Sequence, residues 1–184
     1  DLRFCFGSTM AVRRSVLEKM GGFPVLSRYL ADDHMLGKLV SELGFEVRLC
    51  PYVIDNIVYE SSYAALIRHE LRWARTVRTV QPVGYALSFV TYLLPMSILV
   101  GIGIESFFEW GMLSCLPVLV ALILRIILHY VVNYSLRINS SNSVWLVPIR
   151  DILSFGIWAV SFFGGSVQWK NQALMVKNNG QLTT

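Results

Sequence analysis

Charge is scarce over more than half of this sequence. Of the first 82 residues 20 are charged, 11 basic and 9 acidic, whereas the remaining 102 hold only 5 basic and 3 acidic residues. The first part has the charge density of an ordinary globular piece, about a quarter. The second is too apolar for a freely soluble domain and reads as membrane. Cysteine is also sparse. Cys5, Cys50 and Cys115 are odd in number, far apart and without a CxxC spacing, which argues against a disulfide framework or a zinc site. There is no basic tail or charge block for nucleic acid, because the net charge of +4 divides evenly between the two parts. Phosphate-binding GxxxxGK[ST], GxGxxG, HExxH and GxSxG motifs are all missing. His34, His69 and His129 show no ligand spacing, so metal sites and Ser or Cys nucleophile triads are disfavoured. The chain opens at Asp1 with neither an initiator Met nor a signal peptide and runs into strand-like sequence, which predicts the C-terminal part of a longer protein.

Residues 1–82 carry a mixed pattern. Leu2–Phe6 reads as a short strand ahead of the turn Gly7-Ser8-Thr9. Val12, Val16, Leu17 and Met20 predict a helix over about residues 11–20, closed by Gly21-Gly22. Met35, Leu36, Leu39, Val40 and Leu43 predict a second, opening at Asp32-Asp33 and closed by Gly44. Phe45–Leu49 alternates as a strand does, Tyr52–Tyr59 is a further strand candidate, and Ser61 or Ser62 can cap a helix reaching Thr79. This order suggests part of an α/β layer.

Three apolar stretches follow, at 83–104, at 112–134 with Arg125 and His129 inside, and at 144–167 with Arg150-Asp151 inside. The first two are long enough to cross a bilayer. The third is open between a span, a re-entrant segment and an interfacial helix. The positive-inside bias places the basic helix before Val83, and Arg137, in the cytosol. A third crossing would put Lys170 and Lys177 outside, so the bias weighs against it. Arg150 and Asp151 are expected to pair with each other or to snorkel, although intramembrane ionisable groups also mark functional sites. Residues 168–184 read as a short polar tail.

Two local constellations carry chemistry. In Asp32-Asp33, both carboxylates can serve the helix N-terminus, or one can cap while the other faces a cleft as a general base. The run His69-Glu70-Leu71-Arg72-Trp73 sits on a helix that also bears Arg68, Arg75 and Arg78. It is either a basic face at a membrane surface or a diphosphate clamp, in which guanidinium forks match phosphate oxygens and an indole seals the pocket.

Taken in order, Gly7-Ser8-Thr9-Met10-Ala11-Val12-Arg13-Arg14, Gly21-Gly22-Phe23, Ala31-Asp32-Asp33 and His69-x-x-Arg72-Trp73 resemble the second half of an inverting, membrane-bound GT-A glycosyltransferase. Those enzymes carry an acidic pair ending in a base Asp, then a Gln/Arg-x-x-Arg-Trp motif. Pro148–Phe155 and Val167-Gln168-Trp169-Lys170 are similar to the C-terminal end of ceramide glucosyltransferases and their bacterial relatives. Arg68–Arg75 most resembles the bacterial hopanoid-biosynthesis glycosyltransferases of that group. The resemblance covers essentially the whole chain.

The resemblance implies part of an α/β GT-A (nucleotide-diphospho-sugar transferase) domain followed by a helical membrane region. It implies a nucleotide-sugar donor, a UDP-sugar, and a lipid hydroxyl acceptor of hopanoid or ceramide type. The protein would be multi-pass, with its catalytic part facing the cytosol from a bacterial inner membrane. Carried over, Asp33 is the general base, Arg72 stabilises the leaving diphosphate, Trp73 shapes the cleft, and Asp32 caps the helix behind the base. His69 stands on the leaving-group side where the family has Gln or Arg. A divalent metal, Mg or Mn, is expected for the full-length enzyme through an Asp-x-Asp motif in the family's N-terminal half, so the chain alone is expected to be inactive. A processive polysaccharide synthase would need more than two or three spans, and a small transporter or membrane-anchored binding module would need paired inverted repeats or discontinuous helices, whereas the three apolar stretches show no internal repeat.

Overall fold

The computed structural model describes residues 2–54, 59–138, 143–164, 166–169, 172–176 and 182–183. They form two compact units, Asp1–Pro82 with Gly164–Thr184, and Val83–Phe163.

The first unit holds α1 (Arg14–Lys19), α2 (Phe23–Leu26), α3 (Asp32–Glu42) and α4 (Tyr63–Val80). Its small core is Val16, Leu26, Leu30 and Leu36. Ser62 caps α4, its Oγ accepting the Ala65 N–H at 3.2 Å. Leu2–Phe6 and Phe45–Leu49, which alternate like strands, form neither helix nor strand. A strand requires a neighbouring ladder for its N–H and C=O groups, and alternation alone does not supply one. Of the Tyr52–Tyr59 candidate, residues 55–58 lie outside the described residues. Residues from Ser166 onward, which include the tail at 168–184, carry β1 (Ser166–Trp169), β2 (Gln172–Val176) and β3 (Leu182–Thr183), antiparallel in that order, with Val167 opposite Leu174 and Met175 opposite Thr183. Here backbone pairing, to which side-chain polarity is a poor guide, decides the structure. Lys170 and Lys177, on which the charge bias turned, lie outside the described residues.

The second unit runs through α5 (Pro82–Leu87), a 3₁₀ turn, α6 (Leu93–Phe108), a second 3₁₀ turn, α7 (Leu116–Ser135) and α8 (Leu146–Ser161). With its preceding turn, α7 is a 25-residue helix, Gly111–Ser135, long and apolar enough to cross a membrane. The stretch 83–104, expected as a single span, is instead broken, its two arms Pro82–Thr91 and Leu93–Phe108 meeting at a 65° bend. Pro95, third in α6, lacks the N–H that would bond the Thr91 carbonyl. Tyr92 leaves the helix at φ −82°, ψ 76°.

Such a break strands backbone groups that cost several kcal/mol each in hydrocarbon. One ion pair recovers two of them. Asp151 Oδ2 accepts the Leu94 N–H at 3.1 Å, and Arg125 Nη2 donates to the Thr91 carbonyl at 3.0 Å. Arg125 also donates from Nε to Asp151 Oδ2 at 2.9 Å and from Nη2 to Oδ1. Asp151 therefore pairs with Arg125, and the expected Arg150–Asp151 pair is corrected. Neighbours on a helix point about 100° apart, so the face of α8 that buries Asp151 leaves Arg150 exposed. With 16 residues, α8 is about 24 Å long, short of a bilayer core of about 30 Å. Trp158 Nε1 donates to the Tyr85 carbonyl at 2.9 Å and the Tyr85 hydroxyl meets Ser161 Oγ at 2.9 Å, tying α5 to α8.

Candidate active site

Asp32 and Asp33 occupy the first two positions of α3. Each carboxylate folds onto the next backbone amide. Asp32 Oδ1 accepts the Asp33 N–H at 3.0 Å, and Asp33 Oδ1 accepts the His34 N–H at 2.7 Å. The unpaired amides and positive end of the helix favour both arrangements. Both residues thus serve the helix end; Asp32 is exposed and Asp33 half-buried.

Asp33 also meets the opening segment of the chain. A Cβ on Gly7 would lie 2.9 Å from Asp33 Oδ2, and one on Gly37 would lie 2.5 Å from Phe4 Cα. Two glycines therefore let residues 4–7 lie directly against α3. His34 stacks on Phe4, the rings 6.0 Å apart and 12° from parallel. Asp33, His34 and Gly37 fall together beneath that segment, as i, i+1 and i+4 positions of one helix allow. Burial lowers the His34 pKa, the Asp33 charge pulling the other way and Lys38 adding to the fall, so His34 is neutral at pH 7. Burial first, then the Asp33 charge, push the Cys5 thiol up. A raised pKa keeps the thiol protonated and lowers its nucleophilicity.

The α4 residues form a second cluster. His69 Nδ1 is hydrogen-bonded to Glu60 Oε1, the two side chains being 22% and 24% exposed. The His69 ring meets Trp73 edge-on, with centroids 4.4 Å apart at 76°. Its Nε2 is buried without a hydrogen-bond partner. Arg72 is half-buried, its carbonyl receiving the Thr76 hydroxyl at 2.8 Å, and Trp73 is 45% exposed. The structure thus brings His69 and Trp73 into contact and sets Arg72 on the same helix. Asp32 and Asp33 belong to α3, where the contacts of Asp33 run to the opening segment.

Two contributors escape sequence reasoning. Glu60 precedes α4 and is nine residues from His69, a separation with no periodic meaning. Gly37 had a signal, since a glycine inside a helical pattern often marks a close backbone approach. Among the described residues no three His, Cys, Asp or Glu side chains gather as a metal-ligand group. The described side chains therefore do not fit the divalent ion implied by the resemblance.

Residues 1–182 match the family described as Glycosyl transferase family 21. The "Probable glycosyltransferase YdaM" of Bacillus subtilis (strain 168) is 35% identical over 69 residues, which make up 38% of this chain and 16% of that relative. The chain therefore covers well under two thirds of the relative it matches. No solved structure matches.

Proposed function

The chain belongs to glycosyltransferase family 21, and on that premise we propose that it works in a membrane-bound inverting enzyme. That enzyme moves a sugar from a nucleotide-sugar donor, a UDP-sugar, to the hydroxyl of a lipid acceptor of hopanoid or ceramide type. Residues 1–82 contribute to an α/β GT-A catalytic domain at the cytosolic face of a bacterial inner membrane, and the protein is multi-pass. Most of the nucleotide contacts, and any Mg or Mn ion, fall to residues other than those of this chain, which supplies the base and the leaving-group side.

The observation that carries this reading is the setting of Asp33. Its Oδ1 is fixed by the His34 N–H, while Gly7 gives the opening segment room beside Oδ2. As the acceptor oxygen attacks the anomeric carbon, Asp33 takes the hydroxyl proton and the bond from that carbon to the diphosphate breaks with inversion. A positioned base is worth about 10²–10⁴ in rate. The Arg72 guanidinium stabilises the charge developing on the departing diphosphate, as fixed cationic donors do in a closed site. Trp73, half out of the fold, bounds the cleft, with His69 beside it; Asp32 keeps the end of α3 in place.

Asp33→Asn keeps the size and the acceptor oxygen but loses the basicity. In membranes carrying the protein and a radiolabelled nucleotide sugar, transfer should fall by at least about 10²-fold with membrane insertion unchanged. Turnover at the parental rate would remove Asp33 from this role.

A further inference from the structure

The unit Val83–Phe163 contains a cavity of about 480 Å³ that the proposed reaction does not use. Arg125 and Asp151 line it, and their pairing cancels their charges. Arg150 also lines it, exposed and without an ion-pair partner among the described residues. The cavity therefore carries one uncompensated guanidinium. His129 lines it as well, its Nε2 3.1 Å from the Asn133 side-chain amide nitrogen. The remaining wall combines aliphatic Leu128, Val132 and Val147 with Thr91, Tyr92 and Ser154.

Position along the helices selects the ligand. His129 and Val132 lie in the last two turns of α7, and Val147 and Arg150 in the first two turns of α8. The cavity thus reaches from the break at Thr91 and Tyr92 and from Arg125 to the end of α7 and the start of α8, and Arg150 stands at that outer end, where headgroups lie when α7 crosses a bilayer. A guanidinium fork matches phosphate oxygens, and the aliphatic part of the wall suits the start of an acyl chain. We propose that this cavity binds the phosphate of an anionic phospholipid, with Arg150 as the charged contact. The proposal is independent of the transfer reaction.

The test uses the protein stripped of lipid in neutral detergent, titrated with phosphatidylglycerol, phosphatidylcholine or inorganic phosphate, with bound lipid counted by native mass spectrometry. Phosphatidylglycerol should bind about tenfold more tightly than phosphatidylcholine, whose choline cation offsets the phosphate charge and is repelled by the Arg150 guanidinium. Arg150→Gln should erase that preference and leave the lipid-free melting temperature unchanged. Equal binding of the two lipids, or a preference that survives Arg150→Gln, overturns the site. Inorganic phosphate binding as tightly as phosphatidylglycerol would mark a soluble-anion site and overturn the lipid assignment.

Discussion

Asp151 accepts the backbone N–H of Leu94 at 3.1 Å across 57 residues of sequence. The same carboxylate is held by Arg125, which reaches on to the Thr91 carbonyl. Each charged group neutralises the other and spends further hydrogen bonds on backbone that the break at Tyr92 would leave bare. Between apolar helices, that role explains why charge is tolerated here.

Removing either partner should therefore be costly. Arg125→Leu should destabilise the protein in micelles by about 3–5 kcal/mol, because it strands the buried Asp151 carboxylate, and Asp151→Leu by less, because the Arg125 it strands is only half-buried. The double variant should recover part of that loss, with Leu94 and Thr91 still short of partners. Arg150→Leu should leave melting unchanged. If Arg150→Leu melts like Asp151→Leu, the pairing described here is wrong.

Gly7→Ala should displace the Asp33 carboxylate, since the new Cβ would stand 2.9 Å from Oδ2. A misplacement of this kind lowers turnover by about 10²-fold. Gly103→Ala, where nothing lies within 4 Å of the added carbon, is the control and should be neutral. Equal activity of the two variants would separate Gly7 from the base.

His69→Gln should keep activity within about threefold, because a glutamine amide can still donate to Glu60 and the net effect of one such exchange is small. His69→Leu leaves the Glu60 carboxylate, 24% exposed, without its donor. That variant should lose about 1–3 kcal/mol of stability, and activity with it. Melting curves and transfer assays on both variants decide the matter, and a His69→Gln enzyme as impaired as His69→Leu would show that the imidazole itself is needed.

The lowered pKa of His34 carries a stability signature. Its folded value lies below the unfolded one, near 6.5, so the folded state binds fewer protons. The contribution is complete above about pH 6.5 and is lost as pH falls below it. The parental protein should lose more melting temperature between pH 7.5 and 5.5 than His34→Gln does. Parallel pH profiles would overturn this account.

Much of the local structure was legible without coordinates. The apolar spacing from Met35 to Leu43 marks α3, Ser62 marks the start of α4, and the long apolar run after Met112 marks α7. Asp33 and Arg72 were legible as candidates because residue type and order carried them. Leu2–Phe6 and Phe45–Leu49 misled because alternation describes what a strand would expose, whereas a partner strand decides whether one forms.

Sequence by itself determined which segments coil into helices and which faces are apolar, because periodicity and capping act within a few residues. Tertiary structure alone decided that Asp151 takes Arg125 in place of adjacent Arg150, that Glu60 holds His69, and that Gly7 and Gly37 admit the opening segment to α3. Each of those contacts joins residues that no helical or strand repeat relates. Only the packing of elements, which sets which backbone groups need partners and where room remains, brings them within reach.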